Sequence, residues 1–428
     1  MLVDGRPETI FALLAFAVAA ALAWVLVPPA EALARRLGAI DHPNERSLHR
    51  APTPKLGGVA ILIGVVVAGL LFLPWAPPTR AILGGAAVIA VVGILDDVLD
   101  LDPLPKLGGQ IVASAIPVFN GVSVGALTLP FVGDVSPSSV ELFTLAPLGE
   151  VNLGHLLTIV GFVAIINVIN LIDGVDGLAA GVCAISAATL AVIALSLDRN
   201  GAGVLAALTA GGCLGFLRHG FPPASSFMGD TGSNLLGYLL ACIIVQGTLK
   251  TNAVVALLFP LIVLAVPILD TGFVVAKRLK YRRPIYRADR WHFHHRMADI
   301  GFSQRRTLAY LYGWALVMAG LALALRFVPY SDDLGNLDPA WTAVILACLV
   351  AVLAASVYLV FTLEILKLRR FRQRQLAGAR AAAAGDEVDE GVARELETGS
   401  FAAVNPETGE FEAVDPETGE FEALPPRG

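Results

Sequence analysis

The fold is decided by N-V-I-N-L-I-D-G-V-D-G-L, Asn167 to Leu178. It closes one long apolar run, 153–171, and opens another, 178–197. Its four polar side chains, Asn167, Asn170, Asp173 and Asp176, recur at every third residue, and Gly174 and Gly177 interrupt them. A lipid-facing helix does not end in amides and carboxylates unless water, metal or substrate meets it there, because uncompensated polar groups in hydrocarbon are costly. The stretch therefore reads as the floor of a site at a membrane boundary.

The flanking runs are not isolated. Of 428 residues, 56% are hydrophobic and 15% charged, with a mean hydropathy of +0.71; ordinary soluble domains carry roughly 25% charged residues. Eleven apolar segments can be placed, at about 8–29, 57–75, 80–96, 106–121, 153–171, 178–197, 201–218, 232–249, 252–276, 307–328 and 341–365. Many approach the ~20 residues that cross a bilayer core. Helices satisfy their own backbone groups without water, so the expected class is an all-α polytopic membrane protein of about eleven spans. The first run, Ile10 to Val27, follows few positive charges and shows no cleavage site, which reads as a retained span rather than a signal peptide.

Charge fixes the expected orientation. The connections after odd-numbered spans, with the region past the last, hold 23 Lys/Arg, and the opposite side holds five. The positive-inside rule then places the N-terminus outside and the C-terminus in the cytoplasm of a multi-pass cell-membrane protein. Every carboxylate-rich or histidine-rich motif falls on the cytoplasmic side. The longest outer connection, 122–152, alternates in V-S-V-G-A-L-T-L and suggests a short β-hairpin.

The formal net charge of −6 comes from the tail, where residues 381–428 carry 13 Asp/Glu and two Lys/Arg. The rest, 1–380, is the transmembrane domain, with a net charge of +5, suited to anionic phosphates or anionic lipid. The tail repeats a ten-residue unit, T-G-S-F-A-A-V-N-P-E and then T-G-E-F-E-A-V-D-P-E, and its composition predicts disorder. Cys183, Cys213, Cys242 and Cys348 lie in apolar runs and read as packing residues. Gly211, Gly212 and Gly215 suggest a small-residue helix contact, inside the bundle or, as the lesser reading, at a homodimer face. Pro260 and Pro267 are expected to kink or break the ninth span, where Asp270 is an intramembrane carboxylate in need of a function.

Four motifs carry chemistry. D-D-V-L-D presents Asp96, Asp97 and Asp100 at the end of the third span, with Asp96 and Asp100 on one face if the helix continues. Such carboxylates suit a hard cation such as Mg²⁺, although a solvated acidic loop is an equal alternative. The second motif is the opening stretch. The third, F-M-G-D-T-G-S (Phe227 to Ser233), sets Asp230 between glycines whose backbone N–H groups suit a phosphate; ordinary helix capping by Asp230 and Ser233 is the alternative. The fourth, R-R-P-I-Y-R-A-D-R-W-H-F-H-H-R-M (Arg282 to Met297), packs three histidines among five arginines, a composition suited to a diphosphate rather than zinc. More weakly, Arg46, His49 and Lys55 of the first basic loop, and Lys106 past the acidic motif, suit an anionic lipid head group. Together these residues suggest phosphoryl transfer at a membrane surface. No G-x-x-x-x-G-K-[ST] sequence supports an ATP-binding P-loop.

In this order the motifs resemble the polyprenyl-phosphate N-acetylhexosamine-1-phosphate transferase family over roughly Asp41 to Gln304. The resemblance implies transfer of a sugar-1-phosphate from a UDP-sugar to undecaprenyl or decaprenyl phosphate, with release of UMP. It implies Mg²⁺, or Mn²⁺ in its place, as cofactor. Asp96 and Asp97 match the family's acidic pair, one of which is proposed to deprotonate or orient the lipid phosphate, and Asp173 joins them as a catalytic candidate. Asn170 and Asp230 match metal positions, Asp176 lies in the nucleotide region, and Lys106 matches a basic residue near the phosphates. Arg290, His292, His294 and His295 match a loop over the diphosphate and sugar. The D-R-W-H-F-H-H-R form looks like the WecA/TagO branch rather than the MraY branch, so UDP-N-acetylglucosamine is the expected donor and UDP-MurNAc-pentapeptide the alternative. The expected partners are the UDP-sugar, polyprenyl phosphate and membrane lipid, not nucleic acid. A transporter is the competing class, disfavoured because the polar motifs sit at span ends rather than at the midplane.

Overall fold

The computed structural model describes residues 7–42, 52–125, 127–129, 133–145, 149–247, 259–280, 292–299, 301–329, 338–358, 401–404 and 411–414. The chain is a helical membrane protein, with seven helices among these residues long and apolar enough to cross a bilayer. It groups into two compact units, residues 1–268 with 311–328, and residues 269–310 with 329–428. The expected boundary between membrane domain and tail, at 380/381, lies outside the described residues.

The first unit opens with α1 (Pro7–Leu37), α2 (Gly57–Phe72), α3 (Pro77–Leu99) and α4 (Pro103–Val118). It continues through α5 (Leu153–Ile172), α6 (Leu178–Ser196), α7 (Asn200–Gly220) and α8 (Gly229–Gly247). Two-residue strands β1 (Ile40–Asp41) and β2 (Thr53–Pro54) pair antiparallel and tie the end of α1 to the start of α2. Between α4 and α5 stand two antiparallel pairs, β3 (Leu127–Leu129) with β4 (Gly133–Val135), and β5 (Glu141–Leu145) with β6 (Gly149–Asn152). Asn152 then caps α5, its Oδ1 accepting from the His155 N–H at 2.9 Å.

α7 and α8 are buried along nearly their whole length. A helix wrapped by other helices is free to carry polar groups that lipid would penalise, and α8 does so, with Asp230, Ser233 and Asn234 in its first turns. The glycine triplet is spent inside the bundle. A Cβ on Gly211 would strike the Phe16 carbonyl and one on Gly215 the Ala20 carbonyl, both on α1, while Gly212 faces Ile61 of α2. Close backbone approach of α1 and α7 therefore requires these positions to lack side chains.

Two carbonyls freed by prolines find side-chain donors. The first apolar run does not stop at Pro28-Pro29, since α1 continues through them to Leu37. Pro28 cannot donate to the Trp24 carbonyl four residues back, and His219 Nε2 of α7 donates to it instead, at 3.1 Å. In the ninth apolar segment, residues 259–263 are helical, Leu264 interrupts, and α9 (Ala265–Lys280) follows. The interruption lies between Pro260 and Pro267, as expected. Pro267 leaves the Val263 carbonyl free, and Ser186 Oγ of α6 donates to it at 3.2 Å.

The second unit holds most of α9, the short α10 (Phe293–Asp299), the start of α11 (Gln304–Phe327) and α12 (Pro339–Tyr358). The tail departs from the expected disorder at two places. Phe401–Val404 (β7) and Phe411–Val414 (β8) pair antiparallel, Phe401 opposite Val414 and Val404 opposite Phe411. The repeat explains the register, because it places equivalent F-x-A-V segments ten residues apart in the sequence.

Candidate active site

Helix ends converge at one end of the first unit: the C-termini of α3 and α5 meet the N-termini of α4 and α8. Lys106, in the first turn of α4, is the hub. Its Nζ lies 2.6 Å from Asp96 Oδ2 of α3 and 2.7 Å from Asp230 Oδ1 of α8. Asn170 Oδ1, from the last turn of α5, stands 3.5 Å from the same ammonium. Asn170 Nδ2 donates to Asp230 Oδ1 and, at 2.8 Å, to Ser233 Oγ. Asp96, Lys106, Asn170 and Asp230 thus come from four different helices into one cluster, although they stand up to 134 positions apart in the chain.

Asp97 does something the sequence did not reveal. Its Oδ1 accepts from the Asp230 N–H at 2.9 Å, and its Oδ2 accepts from the Thr231 N–H at 3.0 Å and Thr231 Oγ1 at 2.7 Å. It caps the N-terminus of α8 from a neighbouring helix, satisfying N–H groups that lack intrahelical partners. The glycine amides of this motif were expected to suit a phosphate; the Asp230 and Thr231 amides between them are taken by a carboxylate of the chain, and the Gly232 N–H donates to the Met228 carbonyl at 3.0 Å. Gly229 makes the arrangement fit, with φ at +66°, where any Cβ would run into the Asp97 carboxylate and the Lys55 carbonyl. Gly93, one turn before Asp97, lets α3 approach Thr231 directly.

Asp100 leaves the acidic set. α3 ends at Leu99, and Asp100 adopts the left-handed region at φ 52°, exposed. The helix does not continue, so Asp96 and Asp100 do not share a face. Asp96 instead accepts from the Leu101 N–H at 3.0 Å, closing that turn.

The D-G-V-D-G turn is held from outside. Tyr312 of α11 donates its hydroxyl to the Gly177 carbonyl at 2.6 Å, and Asp176 Oδ2 accepts from the Ala224 N–H at 3.1 Å. Asp173 follows α5 directly, and among the described residues its carboxylate makes no hydrogen bond or ion pair. Burial, followed by the nearby carboxylates Asp230, Asp97 and Asp176, pushes its pKa well above the ordinary carboxylate range.

Beneath this layer lies a second one, a helical turn deeper. Gln110, Asn167 and Asn234 stand four, three and four residues from Lys106, Asn170 and Asp230 on the same three helices. Asn167 Nδ2 donates to Gln110 Oε1 at 2.7 Å, and Gln110 Nε2 reaches Asn167 Oδ1 and Asn234 Oδ1 at 3.4 Å each. Asn167 thus bridges two helices rather than closing its own loop. Gln110, Asn234, Thr231 and Tyr312 were missed. A polar residue four positions after each site residue was the available signal for the first two; nothing local marks the others.

Lys55 sits beside the glycine turn, its side chain partly exposed and 3.9 Å from Asp41 Oδ1. In the second unit, His292 and His294 stack at 5.6 Å between ring centroids, with planes 7° apart. Arg296 lies over the Phe273 ring at 3.9 Å. Arg46, His49 and Arg290 lie outside the described residues, as does the side chain of His295.

Residues 79–248 match the sequence model of glycosyl transferase family 4. A decaprenyl-phosphate N-acetylglucosaminephosphotransferase of Mycobacterium tuberculosis is 36% identical over 340 residues, covering 73% of this chain and 82% of its own. The chain belongs to glycosyl transferase family 4. It is also 36% identical, over 314 residues, to a probable undecaprenyl-phosphate N-acetylglucosaminyl 1-phosphate transferase of Bacillus subtilis, covering 73% of this chain and 84% of that one. A phospho-N-acetylmuramoyl-pentapeptide-transferase of Moorella thermoacetica is 32% identical over 327 residues, covering 72% and 96%. The family match runs from Thr79, in the first turn of α3, through α8, and hence holds Asp96, Asp97, Lys106, Asn170, Asp173, Asp176 and Asp230.

The donor set fits the divalent cation expected of such a family 4 transferase. Among the described residues, no three carboxylates, imidazoles or thiols converge to bind a metal unaided. What converges is oxygen from Asp230, Asp96 and the Asn170 amide, already around a cation in the form of the Lys106 ammonium. Mg²⁺ is commonly held by one or two carboxylates, with substrate phosphates and water completing its shell.

Proposed function

We propose that this chain transfers N-acetylglucosamine-1-phosphate from UDP-N-acetylglucosamine to undecaprenyl or decaprenyl phosphate, releasing UMP, with Mg²⁺ as cofactor. One observation carries the reading: the cluster of Asp96, Lys106, Asn170 and Asp230 at convergent helix ends, in a chain 36% identical over 73% of its length to a transferase of that name. In the reaction a lipid phosphate oxygen forms a bond to the β-phosphorus of the donor. The bond from that phosphorus to the bridging oxygen breaks, and its electron pair leaves with UMP.

Asn170 and Asp230 are the residues assigned to the metal. Held there, a divalent cation would supply positive charge to stabilise the leaving phosphate. Lys106 neutralises phosphate oxygen beside that position, and Asp96 holds the ammonium in place. Asp97 acts on the chemistry by fixing the first turn of α8, and so the direction of Asp230. Asp173, with an open carboxylate of raised proton affinity, is the group best suited to take a proton from the lipid phosphate. Asp176 is assigned to the nucleotide. Arg46, His49 and Lys55 are assigned to the lipid phosphate on their charge, and Arg290, His292, His294 and His295 to the diphosphate and sugar.

The proposed setting is a cell membrane crossed about eleven times, with the N-terminus outside and this site on the cytoplasmic face. The 23-to-5 distribution of Lys/Arg between the two sides supports that orientation. Purified protein supplied with a panel of UDP-sugars and polyprenyl phosphates tests the function by UMP release. The expected result is metal-dependent turnover with UDP-N-acetylglucosamine that chelation abolishes. Turnover with UDP-MurNAc-pentapeptide in its place would overturn the donor assignment, and no UMP from any donor would overturn the reaction.

A further inference from the structure

Asp270 is buried in α9, 3% exposed, within the second unit. Within the second unit both of its oxygens are engaged by one short stretch of chain. Asp270 Oδ2 accepts from His292 Nδ1 at 2.8 Å. Asp270 Oδ1 accepts from the Phe293 N–H, the first amide of α10, at 2.6 Å. The imidazole is therefore held at the ring, and its backbone is held one residue later.

Packing fixes the same stretch from the side. Phe293 and Met297 of α10 are each 1% exposed. Phe293 lies against Phe273 of α9 at 6.4 Å between centroids, one turn along from Asp270. The guanidinium of Arg296 covers the Phe273 ring, and the His294 ring lies parallel to that of His292. A carboxylate at Nδ1 demands the proton on that nitrogen, so it selects one tautomer and one ring rotation. Nε2, which makes no hydrogen bond among the described residues, is left as the ring atom available to a ligand.

We propose that Asp270 is a positioning residue for His292: it holds Nδ1 and the start of α10 so that Nε2 is presented to the diphosphate of the nucleotide sugar. The inference rests on the assignment of His292 to that diphosphate. Asp270 does not touch substrate; it acts through the ring. Of the two single-residue explanations for a buried carboxylate here, helix capping alone accounts for the bond to Phe293 and leaves the bond to His292 unexplained.

The test is a double-mutant cycle joined to a spectroscopic signature. Asp270→Asn should lower kcat/KM for UDP-N-acetylglucosamine by about 10-fold or more, the scale of a hydrogen bond to a charged group. In a His292→Gln background the same change should cost no more than about 2-fold, since coupled residues are not additive. In ¹⁵N-histidine-labelled protein, the resonance lost in His292→Gln should show a protonated Nδ1, and Asp270→Asn should shift it. Asp270→Glu, which keeps the carboxylate, should recover part of both effects and serves where Asp270→Asn does not fold. Equal cost of Asp270→Asn in both backgrounds, or an unchanged Nδ1 signal, overturns the proposal. Full turnover by His292→Gln overturns it through the histidine's assignment. A wild-type chain that releases no UMP fails the functional reading separately, and the Nδ1 signal then still decides the pairing.

Discussion

Lys106→Met would leave Asp96 Oδ2 and Asp230 Oδ1 without the ammonium that now stands 2.6 and 2.7 Å from them. Removing one partner of a largely buried charge pair strands the others, so UMP release should fall at least about 100-fold, with a lower melting temperature. Lys106→Arg should not restore it, because a planar fork does not replace a compact point charge. Recovery of more than a tenth of wild-type turnover by either variant would refute this role. Asp173 gives a prediction with the opposite sign for stability. Its pKa is raised in the folded protein, so its contribution favours folding below the unfolded carboxylate range and is lost as pH rises through the folded value. Asp173→Asn should therefore melt higher than wild type at pH 7 to 8, with the gap closing towards pH 4, while losing UMP release. A variant that melts lower than wild type at pH 8 would show that the carboxylate is not held against its own charge. Lys106 and Asp173 were both legible as site residues from their motifs. Their opposite electrostatic situations were not, because each depends on side chains more than fifty residues away.

Among the elements, α8 is the one whose start fixes the site. Asp97 supplies three acceptor contacts to its first turn. An asparagine there offers one carbonyl oxygen and turns an NH₂ group towards donors. Asp97→Asn should cost about 2 kcal/mol of stability, the scale of hydrogen bonds to a charged acceptor, and abolish UMP release. Thr231→Val removes one donor and spares both backbone contacts, so turnover should fall no more than about 10-fold. Thermal melting and the UMP assay on the two variants check the order. A Thr231→Val as inactive as Asp97→Asn would place the hydroxyl itself in the reaction. The helices were legible because apolar runs at membrane length leave the backbone few alternatives. Their exact ends were not: α3 stops before Asp100, and α1 runs on through Pro28-Pro29, because a partner on α7 accommodates the missing donor.

For the whole molecule, the repetitive tail is the part the proposed chemistry does not use. A chain ending at Arg380 should release UMP within about 2-fold of the full chain, since every site residue assigned here precedes it. A loss beyond 10-fold would give the β7–β8 repeat a role in the reaction. The internal use of Gly211 and Gly215 against α1 removes the motif on which a homodimer face could be argued from sequence.

The sequence by itself determined the class of protein, the family resemblance and the chemical types at the site. Hydropathy, loop charge and the motifs Asp96-Asp97, Asn167–Leu178 and Phe227–Ser233 are local properties, and local patterns survive without knowledge of neighbours. Tertiary structure alone decided what each carboxylate does. Asp96 pairs with a lysine, Asp97 caps a helix, Asp173 stands open, Asp230 meets both lysine and amide, and Asp270 holds a histidine. A carboxylate's role is set by the donors and charges within a few ångströms of its oxygens. Here those donors and charges come mostly from other helices.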